Sequence, residues 1–297
     1  MDGILNINKP TGMTSHDVVA RVRKLLAQRR VGHAGTLDPA ASGVLPICVG
    51  QATRVAEYLS DSGKAYRATL YFGIETDTYD AEGTVVQTTT TTALSRTYIE
   101  SLLPAFLGEQ MQVPPRYSAI KLQGQPAYKR ARAGEELALA ARPVTISHLD
   151  ILDWQPPQLT LEIECSKGTY IRSLAHDLGE RSGYGAHLCA LVRTRSGPFR
   201  LANSITLEQL AEAAAQGTIG ENLYPADKAL EQYPALVLDE ETAARVRHGN
   251  AFSGYREARD AGEQKLARVY DDIGRFLAIA EWDAERHMWQ PVKVFVE

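Results

Sequence analysis

Residues 32–50 read GHAGTLDPAASGVLPICVG. The stretch sets a single charge, Asp38, between Leu37 and Pro39 among glycine, alanine and small apolar residues, then runs into the strand-like VLPICV at 44–49. Aspartate followed by proline is a favoured helix start, with Asp as N-cap and Pro at the first helical position. Yet Ala40, Ala41 and Ser42 are followed at once by Gly43 and the strand, so at most one turn is available to cap. A carboxylate on a glycine-flanked loop before a strand is also open to close approach by a substrate. Near pH 7 an ordinary Asp is ionised and able to act as nucleophile or base.

Working outward, residues 2–8 alternate as a strand does, and Lys9-Pro10-Thr11-Gly12 ends it with turn residues. Ser15 is placed to cap a helix running to about Gln28, because Val18, Val19, Val22, Leu25 and Leu26 form one apolar stripe. Further strand-like runs fall at 65–73, 83–88, 110–122, 143–154, 158–165 and 186–195, and helical patterns at 51–59, 95–106, 126–133, 169–181 and 206–216. The threonine run at 88–92 reads as a surface loop. The expected fold is α/β of the α+β kind: a mixed, largely antiparallel sheet with flanking helices. Residues 217–234 read as a connector, and from Ala235 short β-rich segments suggest a second, barrel-like module, giving domains at 1–234 and 235–297.

Composition narrows the function. With 297 residues, 44% hydrophobic and 23% charged, the chain is globular rather than disordered or fibrous. Its apolar runs are too short to cross a bilayer, and MDGILNINKP carries an acid where a signal peptide has its basic region, so a cytoplasmic protein is expected. Cys48, Cys165 and Cys189 are odd in number and far apart, which suggests reduced thiols rather than disulfides or zinc ligands. The net charge of −4 divides unevenly: +4 over residues 1–70, −5 over 71–109, +4 over 110–200 and −7 over 201–297. Two basic blocks in an acidic chain are compatible with a polyanionic partner, although a solvated face is the commoner cause of any one charge run. No exposed apolar helix or heptad is visible, so a monomer is expected.

Several stretches together resemble one family. GHAGTLDPAASGVLPICVG resembles the active-site motif of the TruB family of tRNA pseudouridine synthases, in which the aspartate of the Leu-Asp-Pro step is catalytic. GILNINKPTGMTSHDVV, KAYRATLYFGIETDTYDAEG, VPPRYSAIKLQGQPAYKRARAG and CSKGTYIRSLAHDLG resemble its other signatures, in the family's order. Thr36, where a related synthase family carries arginine, favours TruB. The resemblance implies isomerisation of uridine 55 in the T loop of tRNA to pseudouridine, with no cofactor or metal. It also implies a PUA-like C-terminal domain.

The residues matched to the family's site are Asp38 as nucleophile, Tyr66 as the ring that stacks on the flipped base, and Arg172 as the partner of the aspartate. Each has a plainer reading. Tyr66 shares a strand face with Ala68, Leu70 and Phe72, and Arg172 reads as a free surface arginine, although it falls in the first turn of a helix, where an anionic neighbour such as Asp38 or an RNA phosphate would offset the dipole. His33 matches the histidine that contacts the opened T loop, and Tyr170 a further pocket position. Lys9 matches the first motif, which braces the active loop and is also within reach of a phosphate. Lys64, Arg67, Lys121, Lys129, Arg130, Arg132 and Arg193 are candidate RNA-backbone contacts. Three readings compete with a stand-alone tRNA enzyme. One is a guide-RNA-dependent relative, which carries N-terminal extensions and basic tails not expected here; another is an idle tRNA-binding folding factor; the third is a glycosidase that hydrolyses the same bond and releases free uracil. No membrane and no obligate protein partner are expected.

Overall fold

A computed structural model describes residues 1–118, 121–122, 125–126, 130, 135, 139–254 and 265–295. Its strands, in chain order, are β1 (Gly3–Lys9), β2 (Val31–His33), β3 (Ser42–Val49), β4 (Lys64–Phe72), β5 (Ile74–Thr76), β6 (Val85–Thr88), β7 (Gly108–Gln112), β8 (Lys121–Leu122), β9 (Gln125–Pro126), β10 (Arg142–Gln155), β11 (Gln158–Cys165), β12 (Ala186–Ser196), β13 (Phe199–Arg200), β14 (Leu223–Tyr224), β15 (Ala235–Val237), β16 (Leu266–Tyr270), β17 (Phe276–Asp283) and β18 (Met288–Val294). The helices are α1 (Ser15–Leu26), α2 (Ala56–Asp61), α3 (Arg96–Leu102), α4 (Ile171–Ser182), α5 (Leu207–Gln216) and α6 (Glu240–Arg247). Among the described residues, no helix is long and apolar enough to cross a membrane.

The main sheet runs β14-β1-β3-β12-β4-β11-β10-β7, with β2 on β3 and β13 on β12. Every pairing is antiparallel except β3 with β12. It is the mixed, largely antiparallel sheet that the sequence pattern implies. Period-two alternation explains its burial. Leu45, Ile47 and Val49 of β3 pack with Leu5 and Ile7 against Val18, Val19 and Val22 of α1. Val44 and Cys48, at the alternate positions of the strand, face the other core with Val55 and Leu59. Such a strand has both faces covered, so it reads as a continuous apolar run. In β4 only one face is filled: Tyr66, Ala68, Leu70 and Phe72 join the core beneath α4, while Arg67 is exposed.

The second sheet, β15-β16-β17-β18, carries α6 against Leu238, Phe252 and Trp289. It is not isolated from the first: Ile279 shares a core with Val55 and Leu59, and Lys293 Nζ donates to Arg54 O at 2.6 Å.

Several local expectations need correction. The strand expected over 110–122 is broken after Gln112, because Pro114 and Pro115 have no N–H to give a ladder. Helix α1 is capped by Thr14, not Ser15: the Thr14 hydroxyl accepts the Asp17 N–H at 3.1 Å and Asp17 accepts the Thr14 N–H at 2.9 Å. The stretch expected as a helix from 51 begins as a 3-10 turn at Gly50–Val55. Helix α6 went unexpected in a segment read as β-rich; Asp239 caps it by accepting the Thr242 N–H at 2.8 Å. The helix expected at 126–133 lies outside the described residues, apart from Pro126 and Arg130.

The parallel join of β3 and β12 requires Gly43. Its φ is +102°, and a Cβ there would stand 2.3 Å from the Arg193 carbonyl oxygen. Gly43→Ala is therefore expected to lower unfolding free energy by about 2 kcal/mol or more, read by denaturant titration. Unchanged stability would contradict this close approach.

Candidate active site

The segment between β2 and β3 has no ladder of its own, so its polar groups must be met from elsewhere. Arg193 meets two of its carbonyls and one at the start of β3. It is 1% exposed, and its guanidinium donates to Gly35 O at 2.9 Å, Thr36 O at 3.3 Å and Val44 O at 2.7 Å. Ser15, freed from capping, binds Leu37 twice: its Oγ accepts the Leu37 N–H at 2.9 Å and donates to Leu37 O at 3.1 Å. Pro39 O accepts the Gly12 N–H at 2.8 Å and Lys9 Nζ at 3.3 Å. Asp38 lies between these anchors, its backbone fixed and its carboxylate half exposed.

That carboxylate faces Arg172, in the first turn of α4. Arg172 Nη2 lies 3.0 Å from Asp38 Oδ2 and donates to Tyr117 O at 3.0 Å, while Nη1 donates to Asp80 Oδ2 at 3.3 Å. The side chain is only 8% exposed. A buried guanidinium at a helix N-terminus is costly alone, and two carboxylates and a carbonyl offset that cost. Asp80 is held for this contact, since its Oδ1 accepts the Thr78 hydroxyl at 2.6 Å and the Glu82 N–H at 3.1 Å.

Asp38, Lys64, Tyr66, Tyr170, Arg172 and Arg193 line one cavity of ≈ 270 Å³, together with the apolar Leu191 and Ile171. Burial pushes the Tyr66 hydroxyl above the ordinary phenol range, with Arg193 opposing the shift, so the ring is neutral near pH 7. Burial likewise raises Tyr170, whose backbone is gripped by the Gln112 amide: Gln112 Oε1 accepts its N–H at 2.8 Å and Nε2 donates to its carbonyl at 3.0 Å. Lys64 is 6% exposed and its Nζ donates to Ser60 O at 2.6 Å, with Ser62 O also in contact. Burial lowers its pKa to about 8.

Not every candidate from the sequence gathers here. Lys9 is fully buried behind the loop, its pKa lowered to about 8 by burial. It donates to Met13 O at 2.6 Å and Pro10 O at 2.8 Å as well as to Pro39, which makes it a brace. Lys9, Lys64 and Arg193, expected at phosphates, are thus engaged by backbone carbonyls inside the protein. Arg67 is exposed on the open face of β4, and Arg130 pairs with Glu135 at 2.6 Å. Lys129, Arg132 and the side chain of Lys121 lie outside the described residues. His33 does not line the cavity. Its ring meets His16 edge-on at 5.3 Å, and its buried Nδ1 has no hydrogen-bond partner among the described residues. Sequence reasoning missed Asp80, Ser15 and Gln112. Asp80 lay inside a quoted signature, TDTYDAEG, whose packed acids and threonines were the available signal.

Fold and cavity define the class of protein. Three family descriptions, all of pseudouridine synthases, match in chain order: TruB family pseudouridylate synthase, N-terminal domain, over 23–171; tRNA pseudouridylate synthase B C-terminal domain over 172–231; and Pseudouridine synthase II TruB, C-terminal, over 234–288. The chain belongs to the TruB family of pseudouridylate synthases, and so is an isomerase. It is 45% identical over 284 residues to tRNA pseudouridine synthase B of Pseudomonas aeruginosa (strain UCBPP-PA14), covering 95% of this chain and 92% of that protein. It is 43% identical over 296 residues to the protein of that name from Dehalococcoides mccartyi (strain CBDB1), covering 100% and 97%. Among solved structures it resembles a chain of an H/ACA RNP bound to a substrate RNA containing 2'-deoxyuridine, with TM-score 0.75, 26% identity and coverage of 99% and 85%. It also resembles a chain of a Cbf5-Nop10-Gar1 complex, with TM-score 0.74, 28% identity and coverage of 99% and 84%.

His33 yields a pH prediction. Burial, with His16 and Arg193 adding to it, lowers its pKa from 6.5 to about 4. In that window the unfolded chain binds a proton that the native state refuses, so stability falls as pH drops from 6.5 towards about 4. His33→Phe is expected to flatten part of the decline in denaturant midpoint over that range; an identical decline in both proteins would contradict the assignment.

Proposed function

We propose that this chain isomerises uridine 55 in the T arm of tRNA to pseudouridine, with Asp38 as the nucleophile. The observation that carries the reading is the ion pair of Asp38 with the buried Arg172 at the mouth of a cavity bearing the neutral Tyr66 ring. The target base leaves the T-loop stack at a cost of a few kcal/mol and enters the cavity against Tyr66. Asp38 then bonds to the substrate, the glycosidic carbon–nitrogen bond breaks, and the uracil turns within the cavity. C5 bonds to ribose C1′, the bond to the aspartate breaks, the C5 proton passes to solvent and N1 takes up a proton in its place. Atoms are conserved overall, as an isomerisation requires. Arg172 keeps the carboxylate aimed; Tyr66 gives a flat apolar surface on which a ring can turn.

In this reading residues 1–234 hold the catalytic machinery and 235–297 form a PUA-like domain with a minor, shape-based role on RNA. The enzyme works alone in the cytoplasm as a monomer. The curated relatives above 40% identity are named as tRNA enzymes, which favours this reading over a guide-dependent one. His33 props the opened T loop, and the exposed Arg67 and the half-buried Arg130, beside its partner Glu135, meet the RNA backbone.

The test uses a T-arm stem-loop tritiated at C5 of its target uridine. Wild type is expected to release tritium stoichiometrically with the base still attached to RNA, and Asp38→Asn to release none. Arg172→Lys, which has no planar fork to meet two carboxylates and a carbonyl together, is expected to lose about 100-fold or more in kcat. No release by folded, RNA-binding wild type, or free uracil as product, would refute the proposal.

A further inference from the structure

The loop that carries Asp80 contains a bulky residue in a conformation that bulky residues avoid. Tyr79 has φ 64°, the left-handed region, which costs about 1–3 kcal/mol for a side chain of this kind and persists only where the surroundings impose it. Those surroundings are specific. The Tyr79 ring lies flat on His176, with centroids 3.9 Å apart and planes at 10°. The Tyr79 N–H donates to Thr76 O at 3.2 Å, and its carbonyl accepts the Leu188 N–H of β12 at 2.9 Å. Glu75 Oε1, at the base of the same loop, stands 2.8 Å from His176 Nδ1 without hydrogen-bond alignment.

His176 follows Arg172 by one turn of α4, so the two lie on one helix face. Two consecutive loop residues thus meet two helix residues one turn apart: Tyr79 meets His176 and Asp80 meets Arg172. The left-handed turn at Tyr79 sets the direction in which Asp80 leaves the loop, and the stack holds that turn in place. We propose that Tyr79 is a positioning residue for the isomerisation, acting through Asp80 and Arg172 to fix the Asp38 carboxylate. This inference rests on the function proposed above.

The test measures kcat and KM on the T-arm substrate for wild type, Tyr79→Phe, Tyr79→Gly, Asp80→Asn and the Tyr79→Gly/Asp80→Asn pair. Glycine accepts the left-handed backbone without strain, so its variant removes the stack without forbidding the fold. Tyr79→Phe keeps the stack and is expected within about twofold of wild type, whereas Tyr79→Gly loses about tenfold or more in kcat with KM within about threefold. The double variant is expected to be no slower than Asp80→Asn alone, because both changes break one linkage. Full kcat in Tyr79→Gly, a loss confined to KM, equal damage in Tyr79→Phe, or losses that multiply in the double variant would each overturn this inference while leaving an active wild type. A wild type that releases no tritium would overturn both this inference and the function on which it rests.

Discussion

Everything at this site depends on a loop whose carbonyls are bonded by buried cations. Residues 34–41 pass through the protein without a strand or helix to satisfy them, and an irregular backbone in that position is stable only if its polar groups are met. Arg193 serves Gly35, Thr36 and Val44, and Lys9 serves Pro39. Among the described residues, neither cation has a carboxylate at salt-bridge distance. Each is held by backbone carbonyls, and the nearby charge of Asp38 raises the pKa of Lys9 against the effect of burial. The loop therefore keeps Asp38 at one place in the cavity while leaving its carboxylate half exposed.

The same arrangement explains how an acidic chain can favour an anionic substrate. Lys9, Lys64, Arg172 and Arg193 lie behind or within one cavity, against Asp38 and Asp80. Charges in a concave, poorly solvated site act over a longer range than exposed ones, so net charge describes this surface poorly. Lys64 and Arg193 contribute a field more than a contact, because their hydrogen bonds are taken by the protein itself.

Much of this was legible in the sequence where side chains alternate or repeat. The period of β3 and the stripe of α1 gave the sheet and its first helix, and the Leu-Asp-Pro step gave the aspartate. What stayed hidden depends on contacts far apart in the chain. Ser15 reads as an N-cap by type, yet Thr14 with Asp17 completes the better capping box, and Ser15 turns to Leu37. Arg193 reads as a surface cation because nothing local shows that Gly43 draws its backbone against β3. Asp80 reads as one acid among several until α4 brings Arg172 to it. In each case the decisive partner lies twenty or more residues away.

The most direct measurement is a crystal structure of the chain bound to a T-arm stem-loop. The account predicts the target uridine out of the T-loop stack, its base against Tyr66 in the cavity and its nucleoside facing the Asp38 carboxylate, with Arg172 still bridging Asp38 and Asp80. A target base left stacked in the T loop over an empty cavity, in a complex whose RNA is fully seated, would contradict it.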